Sequence, residues 1–244
     1  MARKSCFEVT KSYFIPMINI IRYKDLGNAD YGWLNAHYHF SFSHYYNPER
    51  MSFGKIRVIN DDIIQPKSGF PTHAHDNMEI ITYVRQGAIT HEDNQGNKGR
   101  TAAGDIQVMS AGHGITHSEY NLEDTETRLY QIWIEPRELN VDPAWAAHEF
   151  PKGPVTDALP LLVSGDGTAP LHIHADARIF GGVIDADQKL THKTAGSTYI
   201  LVSSGQVDLN GQTLRMGDAA EITDESEIIF QTLDQGAEIL LIET

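Results

Sequence analysis

The sequence predicts an all-β chain folded as two tandem β-barrels, and two observations carry that expectation. Short runs rich in isoleucine, valine, threonine and aromatics recur along the chain, each bounded by glycine, proline, asparagine or aspartate, the pattern of strands joined by turns. The second half also echoes the first: Tyr199 to Gly205 parallels Tyr83 to Gly87, and Gly217-Asp218 parallels Gly104-Asp105. Such self-similarity marks an internal duplication, one barrel per copy.

Residues 1–16 are set apart as an N-terminal extension without an assigned role. Met17 to Arg22 is β-branched and alternating, which suits a first strand, and Gly27-Asn28-Ala29-Asp30 is expected to be a loop. Trp33 to Tyr46, dense in aromatics and histidines, is expected as a strand and flanking loop over the core. Phe53 to Ile64 follows as strand residues, with Asn60-Asp61-Asp62 expected as solvated turn carboxylates or a local cap. Glu79 to Val84 is an apolar strand leading into Gly87, and Ala88 to Glu92 then meets a turn at Asn94 to Asn97, so a hairpin is expected. Gly104-Asp105 opens the strand Ile106 to Met109, and Arg128 to Glu135 is a further strand. The first barrel is therefore expected over residues 17–136, a linker over 137–147 and the second barrel over 148–244, with Ala144 to Val163 irregular and Gly165-Asp166-Gly167 a turn.

Chemistry concentrates between Gly69 and Glu119. His73 and His75 stand at i and i+2 in a strand-like run, so their imidazoles share one face. After the turn Gly112-His113-Gly114, His117 and Glu119 repeat that spacing. If the two strands face each other, three neutral nitrogens and a carboxylate form a divalent-metal set with positions left for a small molecule. Fe(II), Mn(II), Co(II), Ni(II), Cu(II) and Zn(II) all accept such ligands. The other His-x-His pairs, His37/His39 and His172/His174, lack a second half-site and are expected to be structural or solvated, as are His44, His113 and His192.

The order His73-x-His75, Gly87, His91-Glu92-Asp93, Gly104-Asp105, then Ala111-Gly112-x-Gly114-Ile115-x-His117-Ser118-Glu119 resembles the pirin family of bicupins. Phe40-Ser41-Phe42, Arg57 to Asp62 and Tyr130-Gln131-Ile132-Trp133 resemble it too, so the likeness covers nearly all of residues 17–244. It implies two cupin barrels of jelly-roll type and one metal, ferrous or related, on His73, His75, His117 and Glu119, with Glu119 also serving as catalytic base. With Glu119 in that role, Glu79, where other cupins place a carboxylate ligand, is expected to be structural. Bacterial members imply quercetin 2,3-dioxygenase activity, in which a flavonol and O2 give ring opening and carbon monoxide. The human member, associated with transcriptional coregulation, implies the alternative of a non-enzymatic metal or redox sensor acting on a protein partner. Registering Gly205 on Gly87 places Thr191 and Lys193 opposite His73 and His75, and registering Gly217 on Gly104 places Phe230 and Thr232 opposite His117 and Glu119. One metal per chain is expected, in the first barrel.

Composition narrows the partners. With 19 basic and 33 acidic residues the chain carries a formal charge of -14, which repels phosphate backbones and disfavours direct nucleic-acid binding. Cys6 is the one cysteine, so no intrachain disulfide can form, which suits a reducing cytosol. No apolar run reaches the roughly eighteen residues that span a bilayer, and Tyr13 to Ile21 lacks the features of a secretory leader. A cytoplasmic protein is expected.

Overall fold

Turn residues cut residues 17–244, the part described by the computed structural model, into 21 strands and one short 3-10 helix, Tyr23–Asp25. The expected extension, residues 1–16, lies outside the described residues. The first half supplies β1 (Met17–Ile21), β2 (Gly27–Asp30), β3 (Leu34–Tyr38), β4 (Ile56–Ile64), β5 (Ser68–His75), β6 (Glu79–Gln86), β7 (Ala88–Asp93), β8 (Lys98–Ala102), β9 (Ile106–Ser110), β10 (Ile115–Asn121) and β11 (Thr127–Ile134). The second supplies β12 (Ala144–His148), β13 (Pro154–Val155), β14 (Leu161–Ser164), β15 (Leu171–His172), β16 (Arg178–Ile184), β17 (Lys189–Lys193), β18 (Thr198–Leu209), β19 (Gln212–Arg215), β20 (Ala219–Thr223) and β21 (Glu227–Glu243).

A seven-stranded sheet in the order β12-β9-β6-β11-β4-β3-β2 and a four-stranded sheet in the order β5-β10-β7-β8 make the first barrel. Leu34, Ile64, Val84 and Leu129 of the larger sheet pack with Ile89 and Phe70 of the smaller one. A single ten-stranded sheet forms the second barrel. The two barrels join through a continuous apolar core in which Phe40, Ile59, Ile81 and Ile132 meet Tyr199, Leu201, Leu240 and Ile242. Each such fully buried side chain contributes roughly 1.5–3 kcal/mol, so the pair is held chiefly by this face. The expected all-β bicupin architecture is what the chain adopts.

The duplication is visible bond by bond. Gly87 and Gly104 have φ of +74° and +78°, and their counterparts Gly205 and Gly217 have +72° and +86°, all in the left-handed region that favours glycine. Gly104 N donates to Val84 O (2.7 Å) as Gly217 N donates to Val202 O (2.9 Å), and Val84 N donates to Asp105 O as Val202 N donates to Asp218 O, both at 3.1 Å.

Four local expectations are corrected. Gly27–Asp30 is a strand, pairing with β3 from Gly27↔Tyr38 to Asp30↔Asn35; Gly27 is needed because a Cβ there would lie 2.5 Å from the Tyr45 ring. Asn60, Asp61 and Asp62 form no solvated turn but lie buried within β4, where tertiary partners override turn propensity. Met17–Ile21, expected in the first barrel, pairs with β20 of the second. Ala144–His148, straddling the expected linker and second barrel, pairs with β9 of the first, because extended backbone at a sheet edge finds its hydrogen bonds there. Among the described residues, no helix is long and apolar enough to cross a membrane.

Alternation along β4 sends Asp61 to the opposite face from Asn60 and Asp62. Arg85 Nη1 meets Asp61 Oδ1 at 2.6 Å, Arg85 Nη2 donates to Ser203 O of the second barrel at 2.8 Å, and the guanidinium lies 4.5 Å from the Tyr130 ring centroid. Burial raises the Asp61 carboxyl, and the neighbouring Arg85 charge opposes that rise. Removing one member of a buried pair strands the other charge. Arg85→Ala is expected to lower unfolding stability by about 3–5 kcal/mol in urea titrations, and Arg85→Met combined with Asp61→Leu to regain most of the loss.

Candidate metal centre

The antiparallel register of β5 and β10 sets His73 against His117 and His75 against Ile115. Between His117 and Glu119 the register slips, so that Glu119 faces Phe70. Proline fits at this bulge on an edge strand because it has no N–H to pair. Here Pro71 instead offers its carbonyl, 2.8 Å from His73 Nδ1. Close approach of the strands also requires Gly69, whose Cβ would lie 2.2 Å from Glu119 O.

The hydrogen bonds dictate tautomers. His73 Nδ1–H donates to Pro71 O, which leaves Nε2 as a bare lone pair. His91 Nε2–H donates to Asp93 Oδ2 at 3.0 Å, so His91 Nδ1 accepts from His117 Nδ1–H at 3.3 Å. His117 Nε2 is then also bare, and it is buried with no protein partner. Trp145 of β12 stacks on His91 with ring centroids 5.0 Å apart and planes at 10°. Its indole sits where Gly99 lacks a side chain, since a Cβ there would be 2.1 Å from Trp145 Cη2.

Donor atoms of His73, His75 and His117 lie within 4.8 Å of one another, a set able to hold a cation. Glu119 belongs to an adjoining set, His91, His117 and Glu119, that shares His117 with the first. Thus the structure gathers the three expected histidines directly and brings Glu119 beside one of them. Gln107 Nε2 donates to Glu119 Oε1 at 2.6 Å and Gln131 Nε2 donates to Glu119 Oε2 at 2.8 Å, which orients the carboxylate. Burial first, and the neighbouring imidazoles second, pull His75 down to about 4 and His117 to about 3. Both are neutral at physiological pH, the state that ligates.

All four residues line one cavity of about 350 Å³. Its apolar wall comes from Phe42, Phe70, Ile80 and Trp133, the last edge-on to His75 with centroids 5.0 Å apart. Asn60, Asp62 and Gln131 supply polar wall that sequence reasoning missed, although the Asn60-x-Asp62 spacing carries the same i, i+2 signal as the histidines. Burial, then the Asp61 and Glu119 carboxylates, push Asp62 well above the usual carboxylate range.

The remaining candidates lie elsewhere. Glu79 is buried and accepts from Ser110 Oγ at 2.7 Å, away from the cavity. His113 is exposed beside Asp142, and His37, His39, His44, His172, His174 and His192 belong to no metal-capable group among the described residues. In the second barrel Leu190 pairs with Phe230, both buried, while Thr191 and Lys193 face out, so apolar side chains fill its interior. In metal-free protein, NMR titration is expected to show the His75 and His117 ring signals unchanged from pH 8 to 5.5, because lowered values keep both rings neutral across that range. A solvent-like histidine, midpoint about 6.5, would titrate within it.

The same fold recurs in known proteins. Residues 21–134 match the family model described as Pirin, and residues 161–244 match the quercetinase C-terminal cupin domain. A pirin-like protein of Caulobacter vibrioides is 48% identical over 231 residues, covering 93% of this chain and 99% of that one. The quercetin 2,3-dioxygenase of Escherichia coli K12 is 38% identical, with 93% and 98% covered. Among solved structures, the bacterial pirin YhhW of Escherichia coli in complex with nickel(II) superposes with a TM-score of 0.85 at 39% identity, covering 93% of this chain and 98% of that one. With its cupin pair and clustered imidazoles already evident from the coordinates, this extent of likeness means that the chain belongs to the pirin family.

Proposed function

We propose that this protein is a metal-dependent dioxygenase that opens the central ring of a flavonol such as quercetin with O2 and releases carbon monoxide. The observation that carries the reading is the convergence of the three imidazoles on an aromatic-walled cavity of a size usual for small-molecule sites. The relatives named as quercetin 2,3-dioxygenases support the substrate class, and the nickel complex of the Escherichia coli pirin supports a divalent metal. His73, His75, His117 and Glu119 are assigned as its ligands, and Fe(II) as the metal, with Ni, Mn, Co, Cu and Zn as the competing ions. The setting assigned is the cytoplasm.

A divalent metal held by these residues would supply Lewis acidity that makes the flavonol 3-hydroxyl more acidic. The chain's residues divide the other tasks. With their Nδ1 atoms engaged by Pro71 and His91, His73 and His117 present their Nε2 atoms to the cavity. Glu119 takes the hydroxyl proton, held in place for it by Gln107 and Gln131. Phe42, Phe70 and Trp133 exclude water and receive the flat rings.

Because Asp93 and His91 fix the tautomer of His117, His91→Phe is expected to weaken metal affinity by roughly 10–100-fold, read by metal analysis and titration. Iron-loaded protein mixed anaerobically with quercetin and then exposed to air is expected to consume the flavonol and release carbon monoxide. His73→Ala and Glu119→Ala should lose both metal and turnover. Binding without turnover in the unaltered protein would replace this reading with that of a metal or redox sensor, and full metal content in both variants would remove the ligand set.

A further inference from the structure

One strand of the cavity wall carries polar groups that the reaction above does not use. Asn60 and Asp62 share a face of β4, in the interior of the seven-stranded sheet, with Gln131 and Leu129 as their cross-strand neighbours. Both residues are buried, at 4% and 1% exposure, and both line the cavity. Asn60 Oδ1 and Asp62 Oδ1 have no hydrogen-bond partner in the protein. Buried polar atoms are nearly always paired, so two unpaired ones on one cavity face call for polar hydrogens brought by a ligand.

The chemistry of that donor follows from the rest of the cavity. Two side chains whose Cα atoms stand about 7 Å apart along the strand call for O–H or N–H groups at two places on a rigid body. Phe42, Phe70 and Trp133 require that body to be flat and apolar between its polar groups. Resting on the flavonol reading above, we propose that Asn60 and Asp62 form a subsite that accepts hydrogen bonds from phenolic hydroxyls on the outer rings of the bound flavonol. The cavity therefore selects polyhydroxylated flavonols over the bare three-ring skeleton. Sites built to pair a substrate hydroxyl discriminate strongly against the analogue that lacks it, because its absence leaves the protein oxygens buried and unpaired.

Anaerobic binding of quercetin and of 3-hydroxyflavone to the metal-loaded protein tests this, with metal content and melting temperature measured alongside. Both ligands offer the same 3-hydroxyl and carbonyl to the metal and differ only at the outer hydroxyls. The unaltered protein is expected to bind quercetin at least tenfold more tightly. Asn60→Val and Asp62→Val should each cut that preference severalfold by weakening quercetin alone, whereas Asp62→Asn, which keeps an acceptor oxygen, should retain it. Equal affinity of the unaltered protein for the two flavonols overturns the subsite while leaving the dioxygenase reading in place. So does equal weakening of both ligands in the valine variants. Failure of the unaltered protein to bind either flavonol overturns both.

Discussion

The structure depends above all on the register between β5 and β10. Pairing His73 with His117 puts their rings 4.5 Å apart and brings His75 to 5.0 Å from His117. Side chains alternate with a period of two, so a slip of one residue would turn each histidine away from its partners. Several features hold this alignment. Gly69 lets β5 approach the Glu119 backbone, the bulge absorbs the extra residue, and β7 flanks β10 on its other side with His91 facing Glu119. The imidazoles could not converge without that frame, because three partly desolvated rings gain little from one another. Their neighbours in fact disfavour protonation at His75 and His117.

Duplication explains why only one barrel has this character. Both copies keep the same pair of left-handed glycines and the same backbone bonds around Gly104 and Gly217. Their interiors have diverged. In the first, polar and imidazole side chains surround a cavity; in the second, Leu190, Ile200, Leu209, Phe230 and Leu241 pack into a closed apolar core. A close-packed interior of that kind stabilises but leaves no room for a guest. The filled barrel buttresses the open one, and the exchange of edge strands strengthens the link: β1 completes the second barrel's sheet and β12 the first barrel's.

Much of this was legible in the residues. The histidine pairs, the glycine turns and the echo between halves are signals written in short stretches of the chain, and all appear in the structure at the expected places. What was not legible depends on partners far away in sequence. Asn60-Asp61-Asp62 has the composition of a turn, and only Arg85 and the cavity make it a buried strand. Ala144 to His148 carries no clear strand pattern, yet β9 offers an unpaired edge and Gly99 a space for Trp145. Phe42, Ile80 and Trp133 could not be told from ordinary core residues, since a wall side chain and a core side chain differ only in what lies on one side of them.

The strand β4 shows how stability and chemistry are separated within a few residues. Asp61 points to Arg85 and, through it, to Ser203 of the second barrel, so this face of the strand joins the two halves. Asn60 and Asp62 point the other way, into the cavity shared with the histidines. Because alternation assigns the two duties to opposite faces, a change at Asn60 or Asp62 alters what the cavity accepts without breaking the contact between barrels. Trp145 crosses that division in the other direction. It comes from the segment between the barrels, stacks on His91, and through His91 reaches the Nδ1 of His117. The connection between the two copies is thereby part of the structure that leaves the buried Nε2 of His117 bare.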